Sequence, residues 1–206
     1  MINSVEKRIE DFKDLWLGRA NHSGVDSATG IPPEPFLRDI IPKLEEIDFF
    51  TAPASTKYHG AYEGGLYDHS RGMFLRLQDL TDKLHLEWQR PESPFIIGMF
   101  HDLCKCDQYI KVGGTILMHQ GEQLSSPTGY HYEYNPDTVL KGHGSKSVMI
   151  LSQFITLTEE EMLCIRYHMG AYEKEEWAEF DKAIKKYNNV LMAHTADMMV
   201  SKWDGV

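Results

Sequence analysis

The apolar run "FIIGMF" (95–100) ends directly in two ionisable residues, His101 and Asp102, within "GMFHDLCKCDQY" (98–109). Such groups at the end of a core segment cost free energy unless a partner satisfies them. The same conflict recurs along the chain. His69 shares a helical stripe with Leu66, Met73, Leu77 and Leu80. His143 opens a helix in "KGHGSKSV", and His168 follows Ile165 by three in "EEEMLCIRYHMG". Asp197 sits among Leu191, Met192, Met198 and Met199. Each residue alone has an ordinary explanation: a hydrogen-bonded core histidine, a helix cap at His143, a helix-dipole contact at His168, or a pairing of Asp197 with Lys202 or Arg71. Five helices or helix ends that all aim imidazole or carboxylate at a core constrain the fold more tightly. A helical bundle can bring such groups to one point, and His with Asp suits borderline divalent metals.

The rest of the chain agrees with a mainly helical, single-domain protein. Helical spacing covers 3–19, through Val5, Ile9, Phe12, Leu15 and Trp16, and 36–50, with Pro42 predicting a kink or split. Further helices are expected at 66–88, 94–104, 143–155, 158–168, 173–187 and 188–202. Thr158 with Glu161 makes a capping-box pattern. Between them, 51–65 reads as a loop, and 107–137 as a β-hairpin excursion or lid with pieces "YIKV", "TILM" and "YHYEY". The fold class is therefore all-α with a small β-hairpin insertion around residues 107–137. Its 206 residues form one domain, with 1–50 as an N-terminal helical extension and 51–202 as the metal-binding core.

Composition narrows the function. With 21 basic and 31 acidic residues the net charge is −10, and no basic stripe appears, so no stable grip on DNA or RNA is expected. A small anionic substrate remains compatible, because a metal supplies local positive charge. Three cysteines, Cys104, Cys106 and Cys164, are too few for a disulfide framework. "MINSVEKRIEDFK" is charged from its start, and no run approaches the ~18 apolar residues of a membrane span. A cytoplasmic protein is expected.

The ordered set His69, His101-Asp102, His143, His168, Asp197 resembles the HD-domain superfamily of metal-dependent phosphohydrolases over about residues 50–202. "HDLCK" matches the form in which a Lys follows the pair. "YHGAYEGGLYDHS" and "GHGSKSV" are similar to the branch that includes bacterial 3′–5′ exoribonucleases, although 1–50 is too short and too helical for the OB-fold that precedes the HD domain there. The resemblance implies an HD helical bundle. His69, His101, Asp102 and Asp197 would hold one metal, and His143 and His168 a second, with Asp102 bridging. The metals would be two divalent ions per chain, manganese, iron or magnesium. Such a centre clamps a phosphoryl group and activates water. Asp197 would hold or accept a proton from that water. Lys105, four residues after His101, is expected on the same helical face, where it neutralises a phosphate oxygen or is solvated.

Weaker candidates surround this set. His59 and Tyr62 could line the substrate pocket or shape their loop. His194 is a substrate contact, a support for the ligands or a core histidine. Arg166 is expected at the surface. Cys104 and Cys106 diverge on a helix and make no zinc site by themselves. His119 and His131 read as exposed loop histidines that could reach in from a lid. The favoured function is hydrolysis of a phosphoester or phosphoanhydride of a nucleotide-type substrate. The alternatives are a 3′–5′ exonuclease on single-stranded nucleic acid, a mixed-valent di-iron oxygenase and a non-catalytic nucleotide binder. The apolar N-terminal helix also offers a surface for a second subunit.

Overall fold

A computed structural model describes residues 2–22, 31–113, 117–119, 122–124, 129–171 and 176–205. Eight α-helices appear among these residues: α1 Val5–His22, α2 Pro33–Glu46, α3 Gly65–Leu84, α4 Ser93–Phe100, α5 His143–Leu151, α6 Glu159–Arg166, α7 Trp177–Lys186 and α8 Asn189–Met199. Four short strands lie between α4 and α5: β1 Tyr109–Gly113, β2 Leu117–His119, β3 Glu122–Leu124 and β4 Tyr130–Tyr134. β1 pairs antiparallel with β4, and β2 with β3, so the excursion is a nested hairpin.

Several boundaries differ from the periodicity. α2 starts three residues before the expected position, at Pro33, and continues through Pro42. Pro33 and Pro35 fall in the first turn, where a missing N–H costs nothing, whereas Pro42 lies inside the helix without splitting it. α3 stops at Leu84 because His85 adopts a left-handed conformation (φ 53°). The expected 94–104 helix ends at Phe100, and a 3-10 turn follows at Leu103–Cys106. α6 has the expected capping box: Thr158 accepts from the Glu161 N–H, and the Glu161 carboxylate accepts from the Thr158 N–H. The start of the expected 173–187 helix lies outside the described residues. The 188–202 segment divides into α8 and a π-helical turn, Val200–Asp204.

One aromatic core ties the N-terminal helices to the rest. Trp16 stacks on Phe36 with ring centroids 3.9 Å apart, and Phe12 meets Phe95 edge-on at 5.3 Å. Phe49, Phe50, Tyr67 and Phe100 extend the cluster. α1 and α2 thus share the core that carries α3 and α4. Arg8 on α1 donates to the backbone carbonyls of Phe50 and Glu63, fixing both ends of the loop before α3. No helix among the described residues is long and apolar enough to cross a membrane.

Candidate metal centre

His69 comes from the start of the second turn of α3, buried like Leu66 and Met73. His101 and His168 share one local device. Each lies just past a helix C-terminus, where the last carbonyls lack helical partners. His101 Nδ1–H donates to Gly98 O at 2.9 Å, and His168 Nδ1–H donates to Ile165 O at 2.8 Å. That tautomer leaves each Nε2 lone pair directed inward.

The inward atoms converge on Asp102, a buried carboxylate. Its Oδ2 lies 3.5 Å from His69 Nε2 and 3.4 Å from His101 Nε2. Its Oδ1 lies 3.4 Å from His168 Nε2 and 3.7 Å from His143 Nε2. Asp197 Oδ1 completes the first side, 3.2 Å from His69 Nε2 and 3.7 Å from His101 Nε2. His69 and His101 meet Nε2 to Nε2 at 3.1 Å. Donors about 2.1 Å from a common ion lie roughly 3.0 Å apart at right angles and roughly 3.4 Å apart at tetrahedral angles. The observed spacings are at or a few tenths of an ångström beyond those edges, so these groups could hold a metal ion.

Charge points the same way. Burial opposes ionisation of Asp102, but Lys105, His101 and His168 outweigh it and hold the carboxyl well below its usual range. Burial likewise opposes ionisation of Asp197, and His69, His168 and His101 hold it low. Burial pushes His101 and His143 below the ordinary imidazole value, favouring the neutral, ligating form. At His168 burial is outweighed by Asp102, which raises it. Two buried carboxylates face one buried ammonium, Lys105. The second carboxylate needs positive charge from a protonated imidazole or from a bound cation.

Lys105 is not a free arm on a helix face. The chain leaves α4 before His101, and the 3-10 turn folds Lys105 Nζ onto Asp102 Oδ2 at 2.6 Å. Burial lowers the Lys105 ammonium, and Asp102 more than compensates, so it stays charged. Cys104 enters the site as well, although its CxC spacing gave no reason to expect it. Its Sγ lies 3.4 Å from His143 Nδ1 and 3.9 Å from Asp102 Oδ1. Burial pushes its thiol up to about 12.

The remaining candidates separate. His59 lines the cavity of about 160 Å3 at the centre, with His69, Asp102, His143, His168 and Asp197. Burial and His69 push its imidazole pKa down. Tyr62 donates to Asp68 Oδ2 at 2.8 Å, tying the loop to α3. His194 Nδ1–H donates to the His168 carbonyl at 2.8 Å, supporting from behind the turn that carries this histidine. Asp197 pairs with neither Lys202 nor Arg71, whose partner is Asp11. His131 pairs with Glu133, and His119 lies outside the residues whose side chains are described.

The cavity opens into a cleft of about 550 Å3 lined by Tyr58, His59, Lys105, Tyr109, Tyr134, His143, Arg166, Tyr167 and Glu176, among others. Arg166, expected at the surface, keeps a partly exposed side chain on this wall, 3.3 Å from Glu176. α6 ends at that residue, so helical spacing does not relate it to His168. Comparison of the chain with family models, with curated proteins and with solved structures finds no match.

Proposed function

We propose that the chain is a metal-dependent phosphohydrolase of the HD type, cleaving a phosphoester or phosphoanhydride of a nucleotide-type substrate at a two-metal centre. The observation that carries this reading is the division of Asp102. One oxygen faces His69, His101 and Lys105, and the other faces His143 and His168. A carboxylate presented to two donor sets is the natural bridge between two ions. His69, His101, Asp102 and Asp197 would hold the first, and Asp102, His143 and His168 the second, with manganese, iron and magnesium as the candidates.

Two divalent ions there would clamp a phosphoryl group and lower the pKa of bound water. The protein's own part is positioning. Gly98 and Ile165 carbonyls lock the tautomers of His101 and His168. Lys105 keeps Asp102 ionised. Asp197 lines the cavity as a carboxylate able to accept a hydrogen bond from the attacking water.

The cleft supports a small planar substrate over a polymer. Its volume suits one bound molecule. Tyr58 is 79% exposed and Tyr134 is 67% exposed, leaving ring faces that a nucleobase would cover. A net charge of −10 disfavours a nucleic-acid backbone.

The test is metal content by mass spectrometry, with phosphate release from a nucleotide panel, for wild type, Asp102→Ala and Asp102→Asn. About two ions per chain are expected in wild type, with both metal and activity lost in the variants. Asp102→Asn keeps the side chain's shape and guards against a folding failure. Wild-type metal stoichiometry in that variant would overturn the bridging role. Oxygen-dependent turnover without phosphate release would replace hydrolysis with oxygenase chemistry.

A further inference from the structure

The cavity wall contains a second lysine that the motif does not include. Lys202 lines the 160 Å3 cavity together with Asp102, His143, Asp197 and Ser201. Among the described residues Lys202 has no ion-pair partner. Lys105, the other cation there, is buried and held on Asp102 at 2.6 Å. Of the two, only Lys202 has an ammonium free to meet an incoming anion.

The backbone explains how it gets there. Lys202 follows Asp197 by five residues. In a continuous α-helix that spacing would turn it roughly 140° from Asp197. Here the helix widens into the π-turn Val200–Asp204, closed by Gly205 N–H to Val200 O at 3.0 Å. A π-turn takes more residues per revolution and carries its later side chains back towards the earlier face. Ser201 Oγ meets Asp197 Oδ1 at 3.5 Å on that face. The turn is held from outside. Arg76 on α3 donates through Nε to Asp204 Oδ2 at 2.7 Å and through a second nitrogen to Oδ1 at 2.5 Å. Val200 is buried beneath, against Gly72 of α3.

We infer that Lys202, presented by the π-turn and anchored through the Arg76–Asp204 pair, is the substrate-binding cation that contacts a non-bridging oxygen of the phosphoryl group at this centre. The inference rests on the phosphohydrolase reading and assigns Lys202 the phosphate contact that "HDLCK" alone would give to Lys105. Lysine suits the task as a mobile point charge with three donors.

The test uses the full chain loaded with manganese and inorganic phosphate as the probe, with binding read by calorimetry. Lys202→Ala is expected to weaken phosphate binding roughly tenfold, the scale of one charge-assisted hydrogen bond. It is also expected to raise KM with metal content and melting temperature unchanged. Lys202→Arg is expected to recover most of the affinity, and Arg76→Gln to give a smaller loss in the same direction. Wild-type phosphate affinity in Lys202→Ala would overturn the assignment and leave the phosphohydrolase reading standing. A wild-type protein that holds two ions and binds no phosphate would remove both.

Discussion

Lys105 and Asp102 sit three residues apart on a tight turn, and their contact changes what each can do. A buried carboxylate that loses its cation is left uncompensated, which costs about 3 kcal/mol or more. Lys105→Met keeps the stem's bulk and removes the charge. In chelator-treated protein, denaturant unfolding is therefore expected to show a loss of about 3 kcal/mol. With saturating manganese the loss is expected to shrink, because the ion supplies positive charge at the same carboxylate. An equal loss in both conditions would mean that no cation shares Asp102 with Lys105. Cys104 carries a related lesson. His101 and His168 have carbonyls behind them, whereas His143 Nδ1 faces a thiol. A thiol is a weaker hydrogen-bond partner than a carbonyl, so His143 is held more loosely than the other two.

At the scale of elements, two close approaches set the ligand spacing. A methyl group on Gly98 would lie 2.4 Å from Phe74 Cα, so α4 rests on the backbone of α3, and His69 and His101 can meet. A methyl on Gly144 would lie 2.3 Å from the Arg166 carbonyl and 2.5 Å from that of Ile165, so the start of α5 rests on the end of α6. Gly144→Ala is expected to push His143 from His168, costing about 1–3 kcal/mol and lowering metal content towards one ion per chain. Two ions retained would show that the pair does not depend on this contact. Much of this was legible locally: the stripe carrying His69, the capping box at Thr158 and the isolated carboxylate at Asp197 all follow from spacing within one helix. The details that were missed depend on where helices stop. The run "FIIGMF" carries no stop signal, so the turn that folds Lys105 onto Asp102 could not be read from it. Arg166 could not be related to His168 by helical spacing because α6 ends between them, and the Tyr62 contact reaches Asp68 in α3 from the preceding loop, where no periodicity applies. The glycine contacts join segments distant in sequence, and periodicity holds no record of them.

For the whole molecule, the centre is a small cationic demand inside a strongly acidic protein. Under the proposed function an anionic substrate would approach a net charge of −10 and meet Lys105 and Arg166 in the cleft and Lys202 in the inner cavity. At about 10 mM salt the screening length is roughly 30 Å, so the approach is governed by the whole charge; near 150 mM it is roughly 8 Å, and only the cleft's own groups act. Repulsion is therefore relieved as salt rises, while local attraction persists. Under the proposed function, kcat/KM for a nucleotide is expected to rise by on the order of a few-fold between those concentrations, with kcat nearly constant. A single-stranded nucleic acid would behave oppositely, since gripping its backbone releases counterions and weakens as salt is added. Steady-state rates on a mononucleotide and an oligonucleotide across one salt series separate the two. A falling kcat/KM for the mononucleotide would place control with the cleft cations rather than the global charge. Faster turnover of the oligonucleotide, lost at high salt, would make the exonuclease reading the better one.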